Sequence, residues 1–143
     1  MESIDILKGK KLFHVTEDLK RRVLETLRRR LRRERRILIA IVFGGFIDSS
    51  FTRDVDVAVY LRDPRDIIED YGYVEDLGRR LSIEIGLPVD IVVLNHALDS
   101  ILNRALVHGK PIVVKDWRLY YGLRMLAIEQ KKLFHRLYFS KNK

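Results

Sequence analysis

Cysteine is absent from this 143-residue chain, which excludes both a disulfide framework and a thiolate metal site. Proline is held to three residues and glycine to eight, and neither supports a low-complexity or linker-like stretch. No apolar run approaches the ~20 residues of a membrane span. The opening MESIDILKGKKLF lacks the apolar core of a secretory signal. With 47% hydrophobic residues, enough for a proper core, the expectation is one soluble, cytoplasmic domain over residues 1–143.

A net excess of charge is absent outside a single element. Residues 20–36, KRRVLETLRRRLRRERR, hold ten Lys or Arg against Glu25 and Glu34. Removing these from the 28 basic and 20 acidic residues leaves 18 of each, so the whole excess of +8 sits there. Thr16 is placed to cap a helix, with Glu17 and Asp18 in the first turn. Leu19, Val23, Leu24, Leu27 and Leu31 form its apolar stripe. Its arginines are read either as a solvated face, as a surface for an acidic partner, or as a phosphate-tracking surface for nucleic acid. No aromatic interleaves them, which counts against nucleic acid.

The remainder alternates strand and helix. ILIAIVF (37–43) has the unbroken apolarity of a strand buried on both faces, and residues 54–61 resume as a second strand. A helix opened by Asp63 and Pro64 is expected to bury Ile67, Tyr71, Val74, Gly78, Leu81 and Ile85, and to end at Gly86 and Pro88. VDIVVL (89–94) reads as a third strand, a short helix stops at Gly109, and PIVVKD (111–116) reads as a fourth strand. A closing helix from Trp117 is traced by Leu119, Leu123, Leu126, Gln130, Leu133 and Leu137; it is expected to cover the sheet or to dock a second copy. Residues 1–14 receive no assignment. His14, His96, His108 and His135 share no metal-ligand spacing and are read as structural, as are Tyr120, Tyr121 and Tyr138.

Two aspartates interrupt the second strand. Residues two apart on a strand share a face, so Asp54 and Asp56 project together while Val55, Val57 and Val59 point into packing. Adjacent carboxylates repel and lose hydration unless a cation neutralises them. An all-oxygen set suits Mg²⁺, and Asp90, flanked by Val89 and Ile91, can join them if the strands are neighbours. Three such acids can make a two-metal phosphoryl-transfer site. Gly44 and Gly45, ending the buried strand, would let backbone amides approach a triphosphate.

FGGFIDSSFTRDVDVAVYL followed by PVDIVVLNHALDSILNRALVHGKPIVVKD resembles a minimal nucleotidyltransferase domain of the DNA polymerase β superfamily, over about residues 17–116. The resemblance implies an α/β (α+β) fold with a small mixed sheet of about four strands flanked by helices, here followed by a C-terminal helix over about 117–139. It implies that Asp54 and Asp56 coordinate both of two Mg²⁺ ions, that Asp90 binds the catalytic one, and that Gly44 and Gly45 lie along the phosphates. Many members carry Gly-Ser and a basic residue in this loop. Here the loop between Gly45 and Asp54 holds eight residues, among which Ser49, Ser50 and Arg53 are the candidate phosphate contacts. Stand-alone copies of this size resemble the antitoxins of HEPN–nucleotidyltransferase toxin–antitoxin pairs, which transfer AMP from ATP to a tyrosine of a helical ribonuclease toxin. A catalytically degenerate antitoxin that neutralises its partner by binding, and a basic nucleic-acid-binding protein, are the competing readings.

Overall fold

The computed structural model describes residues 3–6 and 10–139, with side chains from residue 11 onward. Two antiparallel strands, β1 (Ser3–Ile6) and β2 (Lys10–His14), precede helix α1 (Glu17–Arg32). Strand β3 (Ile37–Phe43) leads through the one-turn helix α2 (Gly45–Asp48) and the short β4 (Phe51–Thr52) to β5 (Val55–Leu61). Helix α3 (Ile67–Ile85), strand β6 (Val89–Val93) and a 3₁₀ turn at Leu94–His96 follow. Helix α4 (Asp99–His108), strand β7 (Lys110–Val114) and helix α5 (Trp117–Phe139) complete the chain. None of these helices is long and apolar enough to cross a membrane.

The main sheet is mixed, in the order β6-β5-β3-β7, with β5 and β6 parallel and β3 antiparallel to both β5 and β7. Its two faces are covered differently. Val55, Val57 and Val59 point to the face under α1 and α3, where Leu27, Leu31, Val74, Leu77 and Leu81 meet them. Ile39, Ile41, Phe43 and Ala58 face the other layer, with Ala105 and Leu106 of α4 and Tyr120 and Ala127 of α5. The expected α+β architecture, four-stranded mixed sheet and closing helix are all present.

Four local expectations change. Residues within 1–14 form β1 and β2, and β4 joins them in a separate three-stranded sheet. Helix α1 ends at Arg32, so Arg35 and Arg36 lie in the turn before β3. Helix α3 is capped by Asp66, not Asp63, and Ile67 is exposed rather than buried. On α5 Tyr120 and Ala127 are buried with Leu119 and Leu123 packed beside them, whereas Leu126, Leu133 and Leu137 face solvent. A leucine line at helical spacing identifies an apolar side without saying what covers it.

Asp70 on α3 is fully buried and pins the sheet end remote from Asp54. Its carboxylate accepts from Arg36 (2.6 Å) and from the Arg65 amide (2.9 Å), and hydrogen-bonds His96 (2.8 Å). Burial alone would push this carboxyl up, but the His96, Arg36 and Arg65 hydrogen bonds and the Arg36 charge outweigh it and hold the pKa below the ordinary value. A depressed carboxylate stabilises the fold above its unfolded pKa, and that contribution is lost in acid as pH falls through the folded value. Asp70→Ala should therefore destabilise the protein at pH 7 by about 3 kcal/mol, since it removes the buried acceptor of three hydrogen bonds and leaves the partly buried Arg36 without its counter-charge. Thermal unfolding measures this directly, and a loss within about 0.5 kcal/mol would contradict it.

Candidate active site

Register brings the three aspartates together. In the parallel pair of β5 and β6, Asp56 stands directly beside Asp90, one residue after Val55 pairs with Val89. Asp54 precedes β5 by one residue, so it and Asp56 share the face turned toward α4 and α5. One carboxylate oxygen from each of Asp54, Asp56 and Asp90 lies within 4.8 Å of the others.

The neighbouring structure holds this register. Val55 N–H donates to the Pro88 carbonyl, which starts the parallel ladder. Ser82 of α3 accepts from the Val89 amide at 2.8 Å and donates to the Gly78 carbonyl at 2.7 Å, tying the helix to the start of the Asp90 strand. At Gly78 a Cβ would lie 3.0 Å from the Val89 carbonyl oxygen, so glycine lets α3 approach β6.

Asp56 carries the electrostatic signature of the cluster. Partial burial, followed by the charges of Asp54 and Asp90, pushes its pKa up to about 6, and Arg104 pulls partly against that rise. A cation between the carboxylates would remove the repulsion. The donors are oxygens only, with no nitrogen or sulfur ligand, and that set fits Mg²⁺.

Gly44 is the second element of the site. Its backbone sits at φ 77°, ψ −157°, a region open essentially to glycine alone. An added Cβ would meet Asp56 Oδ2 at 2.6 Å and Arg104 Nη2 at 3.4 Å, so the backbone passes against the acidic cluster. The Gly44 carbonyl accepts from Ile47 and Asp48, closing the turn of α2, and the first amides of such a turn find no partner within it. Phe46, fully buried, and Lys20, whose Nζ donates to the Ile47 carbonyl, anchor the turn.

Gly45 differs from Gly44. A Cβ there would lie 3.0 Å from Thr52 Oγ1, so the space taken by a larger residue in a Gly-Ser loop belongs to the Thr52 side chain. Thr52 is buried and its hydroxyl donates to the Asp54 carbonyl at 3.0 Å, fixing the backbone that presents the first aspartate. Ser49 and Ser50 are exposed; the Ser50 carbonyl accepts from Val15, tying this loop to the N-terminal strands. Arg53 is exposed and makes no ion pair among the described residues.

The basic group that the structure does bring to the site is Arg104 of α4, which sequence reading overlooked. Its guanidinium lies 5.3 Å from the Phe43 ring centroid, beside Gly44 and within electrostatic reach of Asp56. Its only sequence signal was a cation in the middle of a helix between the third aspartate and Gly109, a pattern shared by many solvated faces.

The profile of the polymerase beta nucleotidyltransferase family matches residues 25–118, which include all three aspartates, both loop glycines and Arg104. The chain belongs to that family. No curated protein sequence matches it. Among solved structures its fold is similar to a chain in the complex of a tri-AMPylated Shewanella oneidensis HEPN toxin with an MNT antitoxin (TM-score 0.63, 18% identity, covering 81% of this chain and 89% of that one). It is also similar to a chain of the MntA–HepT toxin–antitoxin (TM-score 0.58, 18% identity, 84% and 90% covered). A third likeness is to a toxin–antitoxin with AMP-PNP (TM-score 0.60, 19% identity, 81% and 89% covered). At this identity these likenesses show the shared fold.

Proposed function

We propose that this chain is the nucleotidyltransferase antitoxin of a HEPN-type pair, transferring AMP from ATP to a tyrosine hydroxyl of its toxin. The observation that carries the reading is the convergence of Asp54, Asp56 and Asp90 against the side-chain-free backbone of Gly44. The AMPylated toxin and the AMP-PNP complex among the structural relatives support the choice of adenylyl transfer and of partner.

In this reading Asp54 and Asp56 would hold both of two Mg²⁺ ions, and Asp90 would help hold the one that activates the acceptor. Bound there, Mg²⁺ would neutralise phosphate charge and lower the pKa of the acceptor hydroxyl. The Gly44–Gly45 backbone receives the phosphates, and the Arg104 guanidinium beside Gly44 supplies a positive charge there, with the exposed Arg53 of the loop as a further candidate contact. The acceptor oxygen forms a bond to the α-phosphorus, the bond to pyrophosphate breaks, and the hydroxyl proton leaves to solvent. Most of the rate must come from positioning, which the partner completes by presenting its hydroxyl in line.

The internal pairing of α1 favours this over nucleic-acid binding. Arg21 and Arg22 pair with Asp18, Arg29 and Arg30 with Glu84, and Arg28 donates to the Ile112 carbonyl. Part of the basic face is thereby paired within the chain, through two carboxylates shared by four arginines. The test is mass spectrometry of the HEPN-type partner after incubation with the chain, ATP and Mg²⁺. An adenylyl adduct on a tyrosine is expected, and an unmodified partner in a stable complex would establish the binding-only antitoxin instead.

A further inference from the structure

The main sheet has two edges, and they are built differently. On the β7 edge Pro111 has no N–H to offer, Lys110 opens the strand, and Arg28 of α1 donates to the Ile112 carbonyl at 3.3 Å. Proline, lysine and a covering side chain are ordinary means of closing an edge to further strands. The β6 edge, VDIVV, carries neither proline nor lysine.

Backbone alternation decides which groups β6 presents. The Pro88 carbonyl accepts from Val55, so Pro88 faces β5, and Asp90 and Val92 follow at steps of two. Val89 faces the other way: its amide donates to Ser82, and its carbonyl lies against Gly78 of α3. The amide and carbonyl of Ile91 therefore also turn away from β5, and no side chain or loop among the described residues takes them. A cleft of about 240 Å³ runs along this stretch, walled by Tyr71, Val74 and Glu75 of α3 and by residues 89–92. Successive strand residues alternate between faces, so a cleft lined by four of them in a row follows the strand's edge. Asp90 is exposed, lines this cleft and gives an oxygen to the acidic cluster.

We propose that an extended segment of the protein acceptor, carrying the target tyrosine, adds to the sheet along β6; the inference rests on the adenylyl-transfer reading and names how its acceptor is held. The Ile91 amide and carbonyl bond the backbone of the segment, as in strand addition at an open edge. Opposed residues on neighbouring strands, about 4.8 Å apart, share a face. A tyrosine in register with Asp90 thus sends its side chain to the face that holds Asp54, Asp56 and Asp90, while its flanking residues turn toward α3. Glu75 on the cleft wall is exposed and makes no ion pair among the described residues, so it suits a basic side chain beside the tyrosine. Fixing the segment in this register supplies the positioning that transfer requires.

Hydrogen exchange at single amides tests the edge. In the isolated chain the Ile91 amide should exchange openly, while those of Asp90 and Val92, turned to β5, are protected. With the HEPN-type partner, Mg²⁺ and α,β-methylene-ATP, which does not transfer its adenylyl group, Ile91 exchange should slow at least about tenfold. Glu75→Trp, which fills the cleft from an exposed position, should lower kcat/KM for the partner at least about tenfold. Its Mg·ATP affinity should change by less than about twofold, with thermal unfolding unaltered. Unchanged Ile91 exchange in the complex, or parental kcat/KM for Glu75→Trp, would overturn the inference. Ile91 protection that grows with the concentration of the isolated chain would overturn it too and assign the edge to a second copy. Adenylylation of the partner without Ile91 protection leaves the nucleotidyltransferase reading standing and removes this inference alone. Ile91 protection without any adenylylation removes that reading, and with it the acceptor role of the edge.

Discussion

Asp56→Asn will give a folded protein whose adenylyl transfer falls at least about a thousandfold, roughly 4 kcal/mol of lost transition-state stabilisation. The carboxylate lies between Asp54 and Asp90, so its replacement removes charge from the middle of the cluster. Without metal the same substitution should stabilise the protein. Between the ordinary carboxylate value and about 6, Asp56 is protonated in the fold and ionised in the unfolded chain. Its contribution is thus present in acid and is lost as pH rises through about 6. At pH 7.5 the asparagine variant should gain about 1 kcal/mol, a figure kept small because the side chain is half-exposed and screened. Apparent Mg²⁺ affinity of the parent should fall as pH drops below about 6 for the same reason. Asp90→Asn should also cut turnover by orders of magnitude but weaken Mg·ATP binding only a few-fold. An Asp56→Asn variant with near-parental turnover would refute the metal-site reading.

Gly44→Ala is expected to be the most damaging change that alters no charge. Alanine at φ 77°, ψ −157° is strained by about 1–3 kcal/mol. Its methyl would also lie 2.6 Å from Asp56 Oδ2, so either the strand end or the carboxylate must move. Turnover should fall at least about a hundredfold, since displacements near 1 Å disrupt in-line geometry. Thermal stability should drop as well. Gly72→Ala provides the control: it lies within α3 with nothing near its missing Cβ, so stability should be unchanged or slightly higher. A Gly44→Ala protein with parental turnover would show that this backbone does not approach the reacting groups.

These effects fall on residues that the sequence marks clearly. An unbroken apolar strand, a glycine pair and acids two apart in a valine-rich strand define both the sheet and the face on which the carboxylates lie. Asp90 was legible for the same reason, a single acid among β-branched residues. Thr52 and Arg104 were not, because their roles depend on which backbone they face after folding. Thr52 occupies the room beside Gly45, and Arg104 reaches across from a helix about sixty residues downstream of Gly44. Asp70 was hidden in an apparently polar first turn, since its partners Arg36 and His96 are 34 and 26 residues away. The α5 leucines show the reverse failure. Periodicity traced the helix through Leu119, Leu123, Leu126, Leu133 and Leu137, but only Leu119 and Leu123 of these pack beside Tyr120 and Ala127, and the rest face solvent. A pattern of apolar residues reports the side of a helix on which they lie, and not how far along its length the sheet extends beneath it.

The most direct measurement of the central claim is label transfer from ATP carrying the label on either the α- or the γ-phosphate. The chain is incubated with its HEPN-type partner and Mg²⁺, and the partner's protein band is then read. Transfer at the Asp54–Asp56–Asp90 cluster predicts label on the partner from α-labelled ATP, release of the γ-label as pyrophosphate, and no labelling with Asp56→Asn. Label arriving from the γ-phosphate, or α-label transfer that survives Asp56→Asn, would contradict nucleotidyl transfer at this site.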